Sequence, residues 1–278
     1  MIRTAAVTVL LTSAALPHPA RAETYDTCTG FIDTLPATIT TQGTWCLRHD
    51  LSTAITSGDA INIATNNVTI DCNDFKVGGL AAGNSSQAKG INAGDRLNVT
   101  VRRCNIRGFY RGINISGGAG HLVEDNRLDN NLYIGIRMTG ENNVVQRNRV
   151  FDTGGYPFPE SQHSIYGIWV TADVIDNLVD GVFGTNSYSI TNGIVFGGPG
   201  VVVRGNRVRS VVVPEDSFRY SVGITGPVEG TARVEGNHVY GGGGGWGIEG
   251  GYFCANNSVA NVTTPYFGCT HSVGNVPN

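Results

Sequence analysis

A short pattern of apolar and polar positions recurs along most of the chain. Each copy has an apolar residue, two variable residues, an asparagine, a variable residue and then valine or leucine, as in Val203–Val208. The asparagines of these copies are Asn126, Asn148, Asn177, Asn206, Asn237 and Asn257. In a related copy, Val101–Ile106, Cys104 takes the asparagine position. A Gly-Ile pair precedes each copy, at Gly90, Gly112, Gly135, Gly167, Gly193, Gly223 and Gly247. Two interleaved repeats indicate one structural unit used many times.

The residues around each asparagine predict short β-strands joined by tight bends. They are rich in Val, Ile and Leu, are interrupted by Gly and Asn, and lack the amphipathic period of a helix. The shortest spacing between the asparagines, ~22 residues, is typical of one coil of a solenoid. Asn tolerates the left-handed backbone of a sharp bend, and stacked Asn amides can hydrogen-bond as a ladder. We therefore expect these asparagines to lie above one another in successive coils.

These two motifs resemble the repeats of right-handed parallel β-helix proteins of the pectin-lyase-like superfamily, which are secreted and act on or bind carbohydrate. The resemblance covers roughly residues 60–262. It implies an all-β fold, a single-stranded right-handed parallel β-helix. It also implies that the face of the Gly-Ile strands, together with the loops beside it, forms a substrate cleft. The superfamily includes lyases, hydrolases, epimerases and proteins without catalysis, so the resemblance specifies the fold more closely than the activity.

The segments outside the repeat are expected to be a signal peptide and two caps. Residues 1–22 have a short basic start, an apolar stretch and an Ala-x-Ala cleavage site that ends at Ala22. We expect cleavage after Ala22 and a periplasmic or secreted protein; a retained membrane anchor is the alternative. Residues 23–59 are expected to cap the first coil, 60–262 to form the β-helix and 263–278 to cap the last coil, because uncovered sheet edges invite aggregation.

Six cysteines in an exported chain indicate disulfide bonds. The predicted solenoid narrows the pairings that sequence alone leaves open. Cys72 and Cys104 occupy similar places on adjoining coils, where strands lie about 4.8 Å apart, within reach of a disulfide. The other two pairs would close the ends of the solenoid. The expected disulfides are Cys28–Cys46, Cys72–Cys104 and Cys254–Cys269. A zinc site is the alternative, but no Cys-x-x-Cys pair occurs.

Charge and composition exclude some functional classes. The chain has 19 basic and 22 acidic side chains, a net charge of −3, which argues against a nucleic-acid partner. No segment after the predicted signal peptide is apolar for long enough to span a membrane. Asp173, Asp176 and Asp180 form only a loose acidic run, so we expect no resident cofactor, with calcium as the ion to consider. We expect a monomer.

Three consecutive coils carry long insertions between the asparagine and the next Gly-Ile pair, in residues 148–167, 177–193 and 206–223. Insertions on successive coils must emerge side by side, and in repeat proteins they often form the binding face. These insertions combine aromatic rings with carboxylates, amides and a cation, which suits carbohydrate. The alternative is that the rings only pack the loops together. Candidate binding residues here are Tyr188, Arg219 and Tyr220, and His163 is a candidate catalytic residue.

The residue after each Gly-Ile pair should face outward, because side chains alternate along a strand. The resulting outward row is Asn92, Asn114, Arg137, Trp169, Val195, Thr225 and Glu249. Arg137 could hold a carboxylate in two-point contact, and Trp169 could stack on a sugar ring. We include Asn114 as a further candidate for substrate binding. The alternative is a cation–π pair of Arg137 and Trp169 that only covers the sheet.

Two functional hypotheses follow. The Asp-Asp, Gly-His-Gly and Arg-Ile-Lys motifs of polygalacturonase-like members are absent from the sequence. We therefore expect an exported protein that binds glycan, most simply an acidic polysaccharide. The alternative is a lyase or epimerase for uronate polymers, in which Arg137 neutralises the carboxylate and His163 or Tyr166 removes the C5 proton. Glycoside hydrolysis would need two carboxylates, for which Glu160 and Asp173 are the nearby candidates.

Overall fold

The computed structural model describes Tyr25 and residues 27–277, apart from positions 216, 218 and 228–230. The predicted signal peptide, residues 1–22, lies outside this range. None of the described residues belongs to a helix that is long and apolar enough to cross a membrane. The described chain is built almost wholly from short strands, with one 3-10 helix at Leu80–Ala82.

The strands follow one another around a common axis. They are β1 (Gly30–Phe31), β2 (Ala37–Ile39), β3 (Gly43–Cys46), β4 (Leu51–Ser52), β5 (Asp59–Ile63), β6 (Val68–Asp71), β7 (Lys76–Gly78), β8 (Lys89–Gly94), β9 (Val99–Arg102), β10 (Asn105–Arg107), β11 (Arg111–Ser116), β12 (Leu122–Glu124), β13 (Arg127–Asp129), β14 (Ile134–Met138), β15 (Val144–Gln146), β16 (Arg149–Thr153), β17 (His163–Thr171), β18 (Asp173–Ile175), β19 (Leu178–Phe183), β20 (Ser189–Gly197), β21 (Val202–Arg204), β22 (Arg207–Val212), β23 (Ser221–Thr225), β24 (Arg233–Glu235), β25 (His238–Tyr240), β26 (Trp246–Glu249), β27 (Phe253–Ala255), β28 (Ser258–Ala260), β29 (Thr264–Phe267), β30 (His271–Val273) and β31 (Val276–Pro277).

These strands form three parallel sheets. Sheet 1 has the order β2-β5-β8-β11-β14-β17-β20-β23-β26-β29 and contains the Gly-Ile strands. Sheet 2 has the order β1-β3-β6-β9-β12-β15-β18-β21-β24-β27-β30, and sheet 3 runs from β4 through β7 and every third strand to β31. From β2 onward each strand pairs with the strand three places later, as β11 does with β14. The predicted all-β fold, a right-handed parallel β-helix, is confirmed.

The inside of the solenoid is filled by stacked aliphatic side chains. On sheet 1, Ile113, Ile136, Ile168 and Ile194 are neighbours on consecutive strands and all are fully buried. Burial of each such side chain stabilises the fold by about 1.5–3 kcal/mol. Because the same position is repeated from coil to coil, this packing fixes the register of the strands and hence the positions of the outward-facing residues.

The predicted asparagine ladder is present, and its geometry is regular. The Oδ1 of Asn177 accepts from the backbone N–H of Asn148 at 2.9 Å and from its Nδ2 at 3.0 Å. The Nδ2 of Asn177 donates to Oδ1 of Asn206 and to the carbonyl of Val145, both at 3.0 Å. The same contacts join each neighbouring pair, and the ladder contains Asn126, Asn148, Asn177, Asn206, Asn237, Asn257 and Asn275. Each amide thus satisfies buried backbone groups of the coil before it.

The left-handed backbone at this bend lies one residue away from the position predicted for it. The left-handed backbone does not belong to the ladder asparagines but to the residue before each of them, such as Asp125, Arg147 and Asp176, with φ near 54°. Gly205 and Gly236 take that place on later coils. Asparagine is needed for its amide, whereas the preceding position is the one that tolerates the bend.

All three expected disulfides are present in the structure. Cys72 and Cys104 join adjacent coils with their Cα atoms 4.7 Å apart. Cys28–Cys46 and Cys254–Cys269 lie towards the two ends, with Cα–Cα distances of 5.9 and 5.8 Å. No cysteine among the described residues is free. Each disulfide therefore adds a covalent link at or next to strands that are already paired.

Both segments that were predicted to cap the solenoid contain strands. Strands β1 to β4 lie within the predicted N-terminal cap, yet they pair in register with later strands of all three sheets. Strands β29 to β31 lie within the predicted C-terminal cap and form a last coil, with Asn275 extending the ladder. The repeat pattern does not predict this coil, because Ser272 and Pro277 occupy the first and last positions of the repeat, which are apolar in the other copies.

One buried histidine makes the stability of the solenoid dependent on pH. The Nδ1 of His121 accepts from the Val99 N–H at 3.3 Å, and its Nε2–H donates to the carbonyl of Gly117 at 3.0 Å. Burial lowers the pKa of His121 below its ordinary value of 6.5, although the hydrogen bond with Gly117 opposes this. The unfolded chain is therefore protonated first as the pH falls.

We expect the contribution of His121 to be complete above pH 6.5 and to diminish as the pH falls from that value towards the lower pKa of the folded state. The comparison is with His121→Asn, because Asn143 occupies the equivalent place on the next coil. Urea unfolding at about pH 7.5 and about pH 5 measures the change. The variant should lose less stability on acidification than the wild type, and an equal loss would contradict the assignment.

Candidate functional site

The outward row is in register on sheet 1. Arg137 on β14 pairs with Asn114 on β11 and with Trp169 on β17. Val195 on β20 pairs with Trp169, and the row continues through Thr225 to Glu249. The alternation read from the sequence therefore gives a continuous line of side chains on the outer face of sheet 1.

Three of the predicted site residues meet on this face. The guanidinium carbon of Arg137 lies 5.0 Å from the centroid of the Trp169 ring. The ring of Trp169 stacks on Tyr166, with centroids 5.2 Å apart and planes inclined by 22°. Tyr166 and Trp169 are both partly exposed on β17, and the two residues between them, Gly167 and Ile168, are buried. The cation and the two rings form a compact surface.

A second arginine, which the sequence analysis missed, belongs to this surface. Arg111 on β11 lies over the rings of Tyr110 and Tyr133, at 5.6 and 5.7 Å from their centroids. Burial lowers the pKa of Arg137, and the positive charge of Arg111 lowers it further. Among the described residues, neither arginine forms an ion pair with a carboxylate, and the Nε of each is buried without a hydrogen-bond partner.

Arg111 could have been found from the repeat. The residue immediately before each Gly-Ile pair gives a second row in register beside the outward row. Its members on successive coils are Lys89, Arg111, Ile134, Tyr166, Asn192, Val222 and Trp246. Lys89, Arg111, Tyr166 and Trp246 of this row are partly exposed, whereas Ile134, Asn192 and Val222 are buried. The predicted outward row contains only the residue after each Gly-Ile pair, so Arg111 was not among its members.

A chain of hydrogen bonds holds Arg111 in place. Its Nη1 donates to Oδ1 of Asn114 at 3.1 Å, and Nδ2 of Asn114 donates to Oδ1 of Asn92 at 2.7 Å. Asn92 in turn donates to Oδ2 of Asp59 at 2.9 Å, and Asp59 is paired with Lys89 at 3.1 Å. Asn114 is only 4% exposed. The amide of Asn114 thus holds Arg111 in place, and substrate binding by Asn114 stays a prediction.

His163 has both ring nitrogens engaged. Its Nδ1 lies 2.8 Å from the carbonyl of Ser161, so Nδ1 carries the proton and donates. Its Nε2 therefore accepts from the hydroxyl of Ser189, at 2.9 Å. The ring also stacks on Phe158, with centroids 4.2 Å apart, and Ser189 is fully buried. These contacts hold the first insertion against β20. The hydrogen bond from Ser189 occupies the lone pair of the imidazole.

The three insertions stand side by side, as the repeat predicts. The strands extend into them, so the loops proper are residues 154–162, 184–188 and 213–220. The Oγ1 of Thr185 donates to the carbonyl of Tyr156 at 3.2 Å, and Oγ of Ser217 donates to the carbonyl of Ser187 at 3.0 Å. The packing alternative accounts for part of the aromatic content, because Tyr156 contacts the ring of Tyr110 at 4.8 Å.

The remaining predicted binding residues do not join Arg137. The backbone N–H of Tyr188 donates to Oδ1 of Asn186 at 3.0 Å within the second loop. The backbone N–H of Arg219 donates to Oγ of Ser217 at 3.1 Å. Tyr220 stacks on Trp246, with centroids 4.6 Å apart, towards the C-terminal end of sheet 1. Of the predicted set, Asn114, Arg137, Tyr166 and Trp169 lie together on the outer face of sheet 1.

A cavity of about 600 Å³ lies at the other edge of sheet 1, between the turns at 140–144 and 197–201. It exists because β17 and β18 are joined by Ala172 alone, whereas the neighbouring coils have longer turns. Thr171, two residues after Trp169, lines it together with Glu141 and Asp173. Oδ1 of Asp173 accepts from the backbone N–H of Val202 at 2.9 Å. The cavity thus offers carboxylate and backbone groups next to the aromatic surface.

Other features of the site concern proton transfer and metal binding. Burial raises the pKa of Tyr110 to about 12, assisted by the neighbouring Tyr133. Burial likewise raises the pKa of Tyr133. In the part of the chain that the structure describes, no three His, Cys, Asp or Glu side chains lie close enough together to hold a metal ion.

Comparison with solved structures gives low similarity. The A-module of Azotobacter vinelandii mannuronan C-5 epimerase AlgE6 is 13% identical, with 84% of this chain and 83% of that chain covered and a TM-score of 0.45. The catalytic domain of GH87 alpha-1,3-glucanase in complex with nigerose is 14% identical over 90% of this chain and 62% of that chain, with a TM-score of 0.38. The alginate lyase from Paenibacillus sp. str. FPU-7 is 12% identical over 85% and 99%, with a TM-score of 0.30.

No curated protein sequence matches the chain. The family assignment is instead carried by a family model, described as the right handed beta helix region, which matches residues 48–208. This match covers more than half of the chain and includes the coils that carry Arg111, Arg137 and Trp169. The chain belongs to the right-handed β-helix family.

Proposed function

We propose that this protein binds an acidic polysaccharide on the outer face of sheet 1, with Arg111 and Arg137 as the site for a uronate carboxylate. The observation that carries the proposal is the placement of these two arginines. Both are half-buried, Arg137 lies over the ring of Trp169, and the charge of Arg111 is close enough to lower the pKa of Arg137. Neither has a carboxylate partner among the described residues.

Such a pair is costly without an anion. Burial and mutual repulsion both disfavour the two charges, which is the direction of the lowered pKa of Arg137. A carboxylate placed between them would relieve both effects and could accept two parallel hydrogen bonds from a guanidinium group.

The surroundings of the arginines suit a sugar better than a simple anion. The stacked rings of Tyr166 and Trp169 offer an apolar surface for one face of a pyranose. The cavity that Thr171 and Asp173 line provides acceptors and donors for hydroxyl groups. A cation, an apolar platform and a polar rim follow one another along β14 and β17, and they complement the carboxylate, the ring face and the hydroxyl groups of a uronate unit.

Binding is better supported than catalysis. The lone pair of His163 accepts from Ser189, so this imidazole is not poised to remove a proton. The pKa values of Tyr110 and Tyr133 are raised, which is the wrong direction for a base. Tyr166 remains the candidate base if the protein is a lyase or epimerase. Glu160 and Asp173 flank the 9 residues of β17, an extended length of roughly 27 Å, too far apart for hydrolysis.

We expect Arg137→Ala and Arg111→Ala each to weaken binding of a polyuronate by about 10- to 100-fold, because each removes a charged hydrogen-bond donor worth about 1.5–3 kcal/mol. Isothermal titration with alginate oligosaccharides measures the loss. The matched control is Arg149→Ala, which removes an exposed arginine from sheet 3 and should leave binding unchanged.

Equal losses in all three variants would reduce the interaction to net charge and contradict the proposed site. The same oligosaccharides report on catalysis, because elimination creates a double bond that absorbs in the ultraviolet. We expect no such absorbance. Its appearance, and its loss in Tyr166→Phe, would establish the lyase alternative.

A further inference from the structure

Stacked aromatic rings cover the C-terminal part of the outer face of sheet 1. The ring of Trp246 on β26 stacks between Tyr220 and Phe267, with centroid distances of 4.6 and 5.2 Å. Tyr220 and Phe267 are 38% and 54% exposed, so the stack faces solvent. Three adjacent rings give a long apolar edge on the same face that carries Arg137.

Glu249 is the carboxylate of the outward row that lies near these rings. Glu249 follows Trp246 on β26 and pairs in register with Thr225 and with Phe267. It is the one acidic residue of the outward row, and it forms no ion pair among the described residues. Burial raises the pKa of its carboxyl group, partly offset by a hydrogen bond with Thr225. The environment therefore already disfavours negative charge at this end.

The spacing of the strands sets the distance between the two ends. Trp169 and Trp246 lie on strands separated by three strand spacings, about 14 Å. Arg137 and Glu249 are separated by four, about 19 Å. An extended glycan lying along the solenoid axis would therefore reach from the arginine pair to Glu249 within a few sugar units.

We infer that the face around Trp246 and Glu249 is a second subsite that takes an uncharged sugar, so that the preferred ligand is a heteropolysaccharide in which uronate and neutral units alternate. This inference rests on the proposed function of the arginine pair. A uronate placed over Glu249 would meet a like charge, and Glu249 forms no ion pair among the described residues that would offset it. This is a repulsive element against polymers of uronate alone. A neutral sugar could stack on the rings and donate a hydroxyl hydrogen bond to the carboxylate.

The test compares two octasaccharides by isothermal titration: alginate, in which every unit is a uronate, and hyaluronan, in which glucuronate alternates with a neutral amino sugar. The wild type should prefer hyaluronan. Glu249→Gln keeps the shape of the side chain and removes the repulsion, so it should raise the affinity for alginate by about tenfold and leave that for hyaluronan within about twofold.

Removal of the platform gives an independent readout. Trp246→Ala, and separately Tyr220→Ala, should weaken binding of the hyaluronan octasaccharide by about three- to tenfold, the loss expected for one aromatic contact. Neither should affect a disaccharide, which is too short to extend from Arg137 to Trp246. Circular dichroism of each variant establishes that the coil is intact.

The outcomes separate the two proposals. If Arg137→Ala abolishes binding while Glu249→Gln and Tyr220→Ala change nothing, the second subsite is overturned and the arginine site stands. If the wild type binds neither octasaccharide, the proposed function fails and the second subsite fails with it. An unchanged ratio of alginate to hyaluronan affinity in Glu249→Gln overturns the inference about charge, whatever the effect of the ring variants.

Discussion

Replacement of Asn177 by leucine is expected to destabilise the solenoid by about 3–6 kcal/mol, because it leaves several buried polar groups without partners at about 1–3 kcal/mol each. The backbone N–H and the Nδ2 of Asn148 would lose their acceptor, and Oδ1 of Asn206 and the carbonyl of Val145 would each lose a donor. Asn177 is 2% exposed, so water cannot replace these bonds without opening the coil. Urea unfolding followed by circular dichroism measures the change.

The matched control is Asn84→Leu, at an exposed asparagine of a loop, which should change the stability by less than about 0.5 kcal/mol. Adjacent members of the ladder share their hydrogen bonds. The double variant Asn148→Leu with Asn177→Leu should therefore cost less than the sum of the two single variants. Strict additivity, or a small effect of Asn177→Leu alone, would mean that the ladder does not stabilise the coil as described.

Replacement of Gly193 by alanine is expected to destabilise the fold by about 3 kcal/mol or more, because the added methyl group has no room. A Cβ at this position would lie 2.5 Å from the carbonyl oxygen of Gly223 on the next coil and 2.4 Å from a methyl group of Val208. The oxygen belongs to the backbone, so relief requires that two coils move apart. The midpoint of urea unfolding should fall accordingly.

Gly244→Ala is the control for this substitution. No atom lies within 4 Å of a Cβ built at Gly244, so the same chemical change is made in open space. It should be neutral or raise the stability by about 0.4–1 kcal/mol, because alanine restricts the unfolded chain. Similar losses in both variants would show that backbone freedom, and not the close approach of coils, explains the glycine of the Gly-Ile pair.

The glycine column and the asparagine ladder explain why so much of the fold could be predicted. Both motifs act between equivalent positions of neighbouring coils, so the contact that each residue makes is encoded in the repeat itself. The Gly-Ile pair fixes where sheet 1 begins, and a slip by one residue would expose the isoleucines. The outward positions of Arg137 and Trp169 and the disulfide Cys72–Cys104 follow from the same register.

The candidate site was only partly predictable, because its residues depart from the repeat. Arg111 gains its importance from the amide chain through Asn114 and from its closeness to Arg137, neither of which a single coil reveals. The sequence suggests a free imidazole at His163, whereas in the structure Ser161 and Ser189 contact its two ring nitrogens. Ser161 lies in the first loop, and a loop has no periodic pattern from which its contact with His163 could be predicted.

By itself, the sequence determined the all-β solenoid, the stacking of the asparagines in successive coils and the line of side chains on the outer face of sheet 1. These features depend on contacts that recur every coil, and a recurring contact leaves a recurring residue. The tertiary structure alone decided which outward side chains have partners and which do not. That outcome depends on distances between residues such as Arg111 and Arg137 or Trp246 and Glu249, which occur once in the molecule and therefore leave no pattern in the chain.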